Sequence, residues 1–380
     1  MRTIFAVTAI MLLLAGSAMA EQGITEDKIL LGQSCVLQGY AASLGNGMSA
    51  GLNVYFDHIN SQGGVQGRKI ELITQDDGYE PLQAIKVTRD LVSNRQVFCL
   101  IGEVGTPTSK AVLPLVEQEQ IPFVAPFTGA ELLRSPFKKW VVNVRGSYNQ
   151  EMEKLAEYLC DKQGMKRIAC FYQDDAYGKA GLGGIEKALT KRGLSLCGTG
   201  TYQRNSLAIQ TGLASIRSSK PEAVVMVGAY TPCAAFIKSA KALPEMQGVA
   251  YCNISFVGTE ALKKALGDAA EGCIVSQVVP YPWDQSIPMI KEYTQMMTEA
   301  GRKGEIGFVS LEGFMAAKFF CQVMDKIEGE PTREKFVQCV ETVGKFDLGG
   351  VELGFGPSDH QGMDKVFLVR FDDGKIALAE

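Results

Sequence analysis

The chain has 380 residues, which is too long for one small module and indicates two or three domains. Hydrophobic residues make up 46% of it and charged residues 21%, a globular composition that excludes a disordered or collagen-like chain. The net charge of -4 provides no basic footprint for a polyanion, so we expect no nucleic-acid partner.

The first twenty residues predict a signal peptide. Arg2 gives a positive start, residues 4–14 form an apolar run too short to span a bilayer, and Ala18-Met19-Ala20 is a typical cleavage site. Ser17 stands where a lipoprotein would carry its acylated cysteine. We therefore expect cleavage after Ala20 and export to the periplasm without a lipid anchor.

The ten cysteines are spread from Cys35 to Cys339 and contain no CxxC motif. Most of them lie in apolar runs, where a free cysteine behaves as a small buried hydrophobe. Cys321 and Cys339, late in consecutive helical patterns, are the best candidates for a disulfide. The sequence leaves the connectivity open.

From residue 28 onward the apolar period switches repeatedly between that of a strand and that of a helix. Leu52, Tyr55, Phe56 and Ile59 share one helix face, and Pro81 opens the next helix. The predicted strands around these helices are KILLGQSCVL, RKIELITQDD, VFCLIG and IPFVAP. A βαβ alternation of this kind predicts a mostly parallel sheet with helices on both faces.

The alternation restarts after residue 150 and predicts a second α/β unit. Its strands are RIACFYQDD, LSLCGTGTY, AVVMVG, VAYCNIS and GCIVSQVV. Two helices, Leu311 to Ile327 and Thr332 to Val343, precede a short β-rich tail. No flexible linker separates the units, so we expect the chain to cross between them near Val142–Arg145 and Gln277–Trp283.

Catalytic motifs are weak in this sequence. Its two histidines exclude the His-rich zinc motifs, and we expect no metal or cofactor. Residues 47–51 match the G-x-S-x-G pattern of hydrolases around Ser49, but Ser49 lies well past the first strand, inside a helical pattern. His360 would be the only downstream base. A secreted serine hydrolase is an alternative, and we expect a protein that is not an enzyme.

Several segments carry a resemblance to a known family. They are INSQGGVQGRKIELITQDDGYEPLQAIKV, VFCLIGEVGT, IPFVAPFTG, YQDDAYGKAGL and ALGDAAEG. In this order and spacing the chain resembles the periplasmic substrate-binding proteins of the branched-chain amino acid type, which feed ABC importers. The resemblance covers essentially the whole chain after residue 20.

The resemblance implies a type I periplasmic binding fold, an α/β clamshell of two doubly wound parallel-sheet lobes joined by three crossings. Lobe 1 would comprise residues 21–143 plus 280–345, and lobe 2 residues 144–279 plus 346–380. It also implies a monomer that captures a small-molecule ligand between the lobes and delivers it to the permease subunits of an ABC transporter. A ligand-sensing receptor component built on the same fold is an alternative.

Two loops of the first lobe are candidate ligand contacts. Thr106 follows the third strand, and Phe127, Thr128 and Gly129 follow the fourth. Hydroxyls and amides at helix starts can hold a carboxylate without an arginine. By resemblance, Thr106 and Gly129 grip the carboxylate, and Phe127 offers a carbonyl to an ammonium. The alternative is that Thr106 and Thr128 are simply N-caps of the helices that follow them.

Further candidates come from the resemblance alone. Tyr177 and Tyr230 match the cleft tyrosines of the second lobe, and Leu44 matches a position on the first loop that is often aromatic. Core-edge packing is the alternative for both tyrosines.

The chain departs from the family at Ser255, where amino-acid binders commonly carry an acidic partner for the ammonium. A hydroxyl does not repay the desolvation of a buried ammonium. Glu103 and Asp174 are substitutes close in sequence. The cleft would otherwise be aromatic, with Tyr40, Phe256, Tyr281 and Trp283 added to the residues above. We therefore expect a small carboxylate or amide with a hydrophobic or aromatic body, whose identity the sequence leaves open.

Overall fold

The computed structural model describes residues 21–379, so the predicted signal peptide lies outside the described residues. Two large β-sheets, each flanked by helices, organise this part of the chain. Its helices include none that is both long and apolar enough to cross a membrane.

The first sheet has five parallel strands in the order β2-β1-β3-β4-β5. They are β1 (Lys28–Cys35), β2 (Lys69–Asp76), β3 (Cys99–Ile101), β4 (Phe123–Val124) and β5 (Val141–Val142). The central strands are short, apolar and fully buried, as expected where helices cover both faces of a parallel sheet. Their carboxyl ends lead into the loops that carry Thr106 and Phe127.

The second sheet has seven strands in the order β14-β13-β10-β9-β8-β6-β7. Its strands are β6 (Ile168–Gln173), β7 (Gly198–Tyr202), β8 (Ala223–Val227), β9 (Ala250–Asn253), β10 (Ile274–Gln277), β13 (Phe367–Asp372) and β14 (Lys375–Ala379), and a separate hairpin pairs β11 (Lys345–Asp347) with β12 (Glu352–Gly354). β13 runs antiparallel to both of its neighbours, β10 and β14, and the other five strands are parallel to one another. The α/β class and the parallel order predicted from the sequence are confirmed.

Eleven α-helices connect and cover the strands of the described chain. They are α1 (Ala42–Ser61), α2 (Pro81–Arg89), α3 (Thr106–Glu119), α4 (Tyr148–Ala156), α5 (Ala176–Thr190), α6 (Gln210–Ser218), α7 (Tyr230–Lys241), α8 (Thr259–Leu266), α9 (Pro288–Glu299), α10 (Phe308–Asp325) and α11 (Arg333–Val343). Of these, α8 and α9 are not among the helices predicted from the sequence. Pro288 at the first position of α9 was the available signal, since proline favours that position.

The chain passes three times between the two sheets. It leaves the first sheet after β5, returns after β10 to place α10 against α1, and enters the second sheet again at β13. α10 is buried on nearly every side, as expected for a helix whose sequence is mostly apolar. The two-lobed architecture with three crossings is thus observed, while the residue boundaries assigned to each lobe stay a prediction.

The candidate disulfide between Cys321 and Cys339 is not formed. All ten cysteines are free thiols, and Cys339 Sγ lies 3.5 Å from the carbonyl oxygen of Val323 instead. Eight of the ten are buried, and burial raises the pKa of Cys321 and Cys170 above the usual range for a thiol. The cysteines therefore fill the core, as their apolar surroundings in sequence indicate.

Candidate ligand-binding cleft

Aromatic side chains from both lobes meet between the sheets. Phe256 lies at the centre, with ring centroids 4.4 Å from Tyr177, 5.4 Å from Phe127 and 6.0 Å from Tyr79. Tyr148 packs 5.5 Å from Tyr177 on the other side. All five are buried, and burial raises the pKa of Tyr177 well above its usual value. We call these five residues the aromatic cage.

Three hydroxyls form a cluster at the edge of the aromatic cage. Thr106 Oγ1 lies 2.6 Å from Thr128 Oγ1, which donates to the Tyr148 hydroxyl at 3.2 Å. Thr106 is the first residue of α3, so its hydroxyl sits at the positive end of that helix. Gly129 lies against Tyr148, and a Cβ there would come within 2.6 Å of the Tyr148 ring. We call Thr106, Thr128 and Tyr148 the hydroxyl cluster.

Leu44 of the first lobe and Tyr230 of the second lobe each contact the other lobe. A Cβ on Gly258 would come within 2.7 Å of Leu44 Cδ2, so Leu44 packs directly on the second lobe. The Tyr230 hydroxyl accepts a hydrogen bond from the Ser43 amide at 3.3 Å. A pocket of about 400 Å³ opens beside Leu44, between the starts of α1, α8 and α10.

Ser255 is bound by a buried ion network. Its hydroxyl accepts from Arg145 and donates to Glu151 Oε1 at 2.9 Å. Glu151 Oε2 receives the Ser255 amide at 2.8 Å and the Ser276 hydroxyl at 2.6 Å. Ser255 therefore lies beside the aromatic cage, next to Phe256 in the chain. Its hydroxyl and its amide are both hydrogen-bonded to Arg145 and Glu151.

Arg145 and Glu312 complete this network. Arg145 Nη2 lies 3.3 Å from Glu151 Oε1, and Nη1 lies 3.6 Å from Glu312 Oε1. Burial opposes the charged form of Arg145, but Glu312 and Glu151 outweigh it and its pKa is raised. Burial also raises the pKa of Glu312 to about 7, against the opposing effect of Arg145. We call Arg145, Glu151 and Glu312 the ion network.

The two predicted acidic substitutes lie in different places. Asp174 is exposed, and its Oδ1 lies 3.7 Å from Lys179 Nζ at the surface. Glu103 is buried at the end of the first sheet, and both of its oxygens lack a hydrogen-bond partner in the described chain. Burial and the nearby Asp77 raise the pKa of Glu103 well above its usual value.

Other aromatic candidates lie outside the cage. Tyr281 and Trp283 pack on one another and on Phe308, with centroids 5.0 to 6.3 Å apart. Tyr40 is 42% exposed. These residues therefore belong to the rim and crossings and not to the centre of the cleft.

Ser49 has no hydrolase geometry. It lies inside α1, and its hydroxyl accepts a hydrogen bond from Asn53 at 3.1 Å. His360 contacts the Val141 carbonyl and Glu341 instead. Within residues 21–379 no cluster of three or more His, Cys, Asp or Glu side chains could hold a metal ion.

Comparison with known proteins settles the family. The model of the periplasmic binding protein family matches residues 28–375. The chain belongs to this family. A leucine-, isoleucine-, valine-, threonine- and alanine-binding protein of Pseudomonas aeruginosa is 20% identical over 342 residues, which cover 90% of this chain and 89% of the relative.

Solved structures of periplasmic binding proteins have the same fold as this chain. A possible leucine/isoleucine/valine-binding protein from Rhodopirellula baltica has a TM-score of 0.87 and 32% identity, covering 96% of this chain and 98% of that one. A fatty acid ABC transporter substrate-binding protein from Thermomonospora curvata has a TM-score of 0.84 and 21% identity, covering 95% and 93%. The resemblance to the branched-chain amino acid binding type is confirmed, and the protein is a solute-binding protein, not an enzyme.

Most of what surrounds the predicted site residues of this periplasmic binding protein was not predicted from the sequence. Tyr79, Tyr148 and the ion network are the main omissions. Glu312 carried a usable signal, because it is the one acidic residue in the largely apolar run FVSLEGFMAAKFF. Tyr79 carried none, since its burial depends on the second lobe.

A polar bridge links the lobes at the rim of the cleft. Arg204 Nη1 lies 2.9 Å from Asp175 and Nη2 lies 2.8 Å from Glu80, which belongs to the loop after the first sheet's edge strand. Beside it, Gln173 donates to the Tyr79 hydroxyl at 3.3 Å. Tyr79 itself has a positive φ of 59°, a strained conformation for a tyrosine that its packing across the cleft maintains.

Arg204→Ala is expected to favour the open arrangement of the lobes. Arg204 joins Glu80 to Asp175, beside a hydrogen bond of 2.7 Å from Asn205 to Glu80. An ion pair of this exposure is worth up to about 1 kcal/mol, or about fivefold in the closed-to-open ratio. Small-angle scattering should show a larger radius of gyration for the variant than for the parent protein. High salt should also increase the radius of gyration of the parent, because it screens the ion pair.

Arg192→Ala is the matched control for that experiment. Arg192 makes comparable pairs with Asp161 and Glu153, but entirely within the second lobe. Its loss should leave the radius of gyration unchanged. An equal expansion of both variants would contradict a role for the Arg204 bridge in closure.

Proposed function

We propose that this protein captures a small carboxylate with an apolar or aromatic body between its lobes and delivers it to the permease subunits of an ABC importer. The observation that carries the proposal is the position of the hydroxyl cluster against the aromatic cage. As part of the same proposal, it is exported by cleavage after Ala20, acts as a monomer, and divides into lobes at the predicted boundaries.

The hydroxyl cluster supports a carboxylate as the polar end of the ligand. Thr106 places its hydroxyl and its amide at the start of α3, where a helix of 14 residues stabilises negative charge. Thr128 adds a second hydroxyl at hydrogen-bond distance. A carboxylate accepting from this cluster would gain charge-assisted hydrogen bonds.

The aromatic cage supports an apolar body. Phe127 and Phe256 contribute rings without polar atoms, and Tyr177 adds a third from the second lobe. Contact with such rings removes apolar ligand surface from water, which stabilises the complex by roughly 25 cal/mol per Å². The relatives from Pseudomonas aeruginosa and Thermomonospora curvata are named for amino-acid binding and fatty acid transport, and both ligand classes contain a carboxylate with an apolar body.

Thr106→Val should weaken the binding of 4-methylpentanoate and 3-phenylpropanoate about ten- to a hundredfold. Valine keeps the volume of threonine and removes a hydroxyl that would donate to the carboxylate, a bond worth roughly 1.5 to 3 kcal/mol. Calorimetric titration measures the change directly. The corresponding alcohols, which lack the carboxylate, should bind weakly to both proteins.

Thr88→Val provides the control, because Thr88 Oγ1 is buried in α2 with no hydrogen-bond partner in residues 21–379. This variant should bind both acids as the parent does. Equal binding by the parent and Thr106→Val would contradict the assignment of the carboxylate to the hydroxyl cluster. Mass spectrometry of ligand that co-purifies with the protein tests the ligand class independently.

A further inference from the structure

Arg145 touches elements of both lobes at the inner wall of the cleft. Its guanidinium carbon lies 4.8 Å from the centroid of Phe127, a member of the aromatic cage from the first lobe. Its Nη2 reaches Ser255 and Glu151, which belong to the second lobe side. Arg145 is fully buried, and it contacts the aromatic cage directly through the Phe127 ring.

Two of the three guanidinium nitrogens of Arg145 make no hydrogen bond. Nε and Nη1 have no hydrogen-bond acceptor anywhere in the described chain. Glu312 Oε1 lies 3.6 Å from Nη1, which is an ion-pair distance, and within residues 21–379 it also makes no hydrogen bond. Buried donors without acceptors are costly, so this site is incomplete without a further polar group.

The side-chain atoms of Arg145, Glu151 and Glu312 determine whether the missing polar group is a hydrogen-bond acceptor or an ammonium. Both oxygens of Glu151 are occupied, one by Ser255 and Arg145 and the other by the Ser255 amide and Ser276. No oxygen of Glu151 remains for an ammonium, and Arg145 would repel one. Arg145 Nε and Nη1 make no hydrogen bond in the described part of the chain and could donate to an oxygen acceptor. Glu312 Oε1 makes no hydrogen bond there either and could accept one from a hydroxyl.

We propose that Arg145 donates hydrogen bonds to an oxygen on the carbon next to the ligand carboxylate, so that the ligand is a 2-oxo or 2-hydroxy carboxylate with an apolar side chain. This inference rests on the proposed function, in which the hydroxyl cluster holds the carboxylate. The two polar sites flank one residue, since Thr128 follows Phe127 in the chain and Arg145 lies over the Phe127 ring.

The test is a series of ligands that differ only at the second carbon. Calorimetric titration would compare 4-methyl-2-oxopentanoate, 2-hydroxy-4-methylpentanoate, 4-methylpentanoate and leucine, with the equivalent phenyl series alongside. The oxo or hydroxy acid should bind at least tenfold more tightly than the unsubstituted acid, because a charged donor gains an acceptor. Leucine and phenylalanine should bind more weakly than the unsubstituted acids.

Arg145→Lys then identifies the donor. Lysine keeps the positive charge but lacks the planar fork, so the preference for the oxygenated acid should fall to less than about threefold. Arg192→Ala is the control, because Arg192 pairs only with Asp161 and Glu153 within the second lobe, and this variant should retain the preference for the oxo acid. The ligand series with the parent protein remains decisive even where Arg145→Lys does not fold.

The possible failures are distinguishable. If the unsubstituted acids bind and respond to Thr106→Val, but the second oxygen adds nothing, the role of Arg145 is overturned and the proposed function stands. Tightest binding of leucine or phenylalanine also overturns the role of Arg145. If no acid in either series binds, the proposed function fails, and this inference fails with it.

Discussion

Gly51→Ala should lower the free energy of unfolding by about 3 kcal/mol or more, since overpacking a tight contact against backbone cannot be relieved by a rotamer change. Gly51 lies in α1 where this helix crosses α10, and a Cβ there would come within 1.9 Å of the Ser310 carbonyl oxygen. The reverse contact is also close, with a Cβ on Gly313 2.3 Å from the Met48 carbonyl oxygen. Denaturant unfolding measures the loss.

The same contact positions part of the cleft. α10 carries Glu312 and α1 carries Leu44, so separating the two helices moves both residues. Gly51→Ala should therefore also weaken the binding of 4-methylpentanoate.

Gly183→Ala is the matched control in another helix. Gly183 lies inside α5, and a Cβ there would meet nothing within 4 Å. Alanine favours helix over glycine by roughly 0.5 to 1 kcal/mol, so this variant should be slightly more stable than the parent. A stability change of the same sign and size in both variants would contradict the close-packing argument for Gly51.

The protein should be more stable at pH 5.5 than at pH 8. Burial raises the pKa of Glu312 to about 7 and that of Asp77 to about 6. An acid with a raised folded-state pKa binds more protons in the folded state than in the unfolded one. Stability therefore falls as pH rises from the unfolded pKa through the folded one. For Glu312 alone the change between pH 5.5 and 8 is about 2 kcal/mol.

Three charged neighbours also affect the pKa of Glu312. Arg145 and Arg134 favour its ionised form, and Glu151 opposes it. Carboxylates with a lowered pKa, such as Asp161 and Glu222, are ionised in both states over this range and add no slope.

Glu312→Gln should flatten the pH dependence and raise the melting temperature at pH 8 more than at pH 5.5. Thermal unfolding at both pH values tests this. A parent protein that is more stable at pH 8, or a Glu312→Gln variant with an unchanged slope, would show that Glu312 is already ionised at pH 5.5.

The local sequence determined the class of the fold and the loops that carry the site. The alternation of apolar period requires a covered parallel sheet, and the carboxyl ends of its strands must lead into helix starts. Periodicity alone therefore places Thr106 and Phe127 at one edge of the sheet. Their exact partners do not follow from it, because a hydroxyl at a helix start serves equally as a cap or as a ligand contact.

Only the tertiary structure decided what surrounds those residues. Arg145, Glu151 and Glu312 are far apart in sequence or lie on different elements, and they form one network because the three crossings bring both lobes to the same point. Tyr79 joins the aromatic cage only where the second lobe covers it. Periodicity records which face of an element is buried, whereas a contact between lobes depends on how two separately folded sheets are oriented, and no local pattern encodes that orientation.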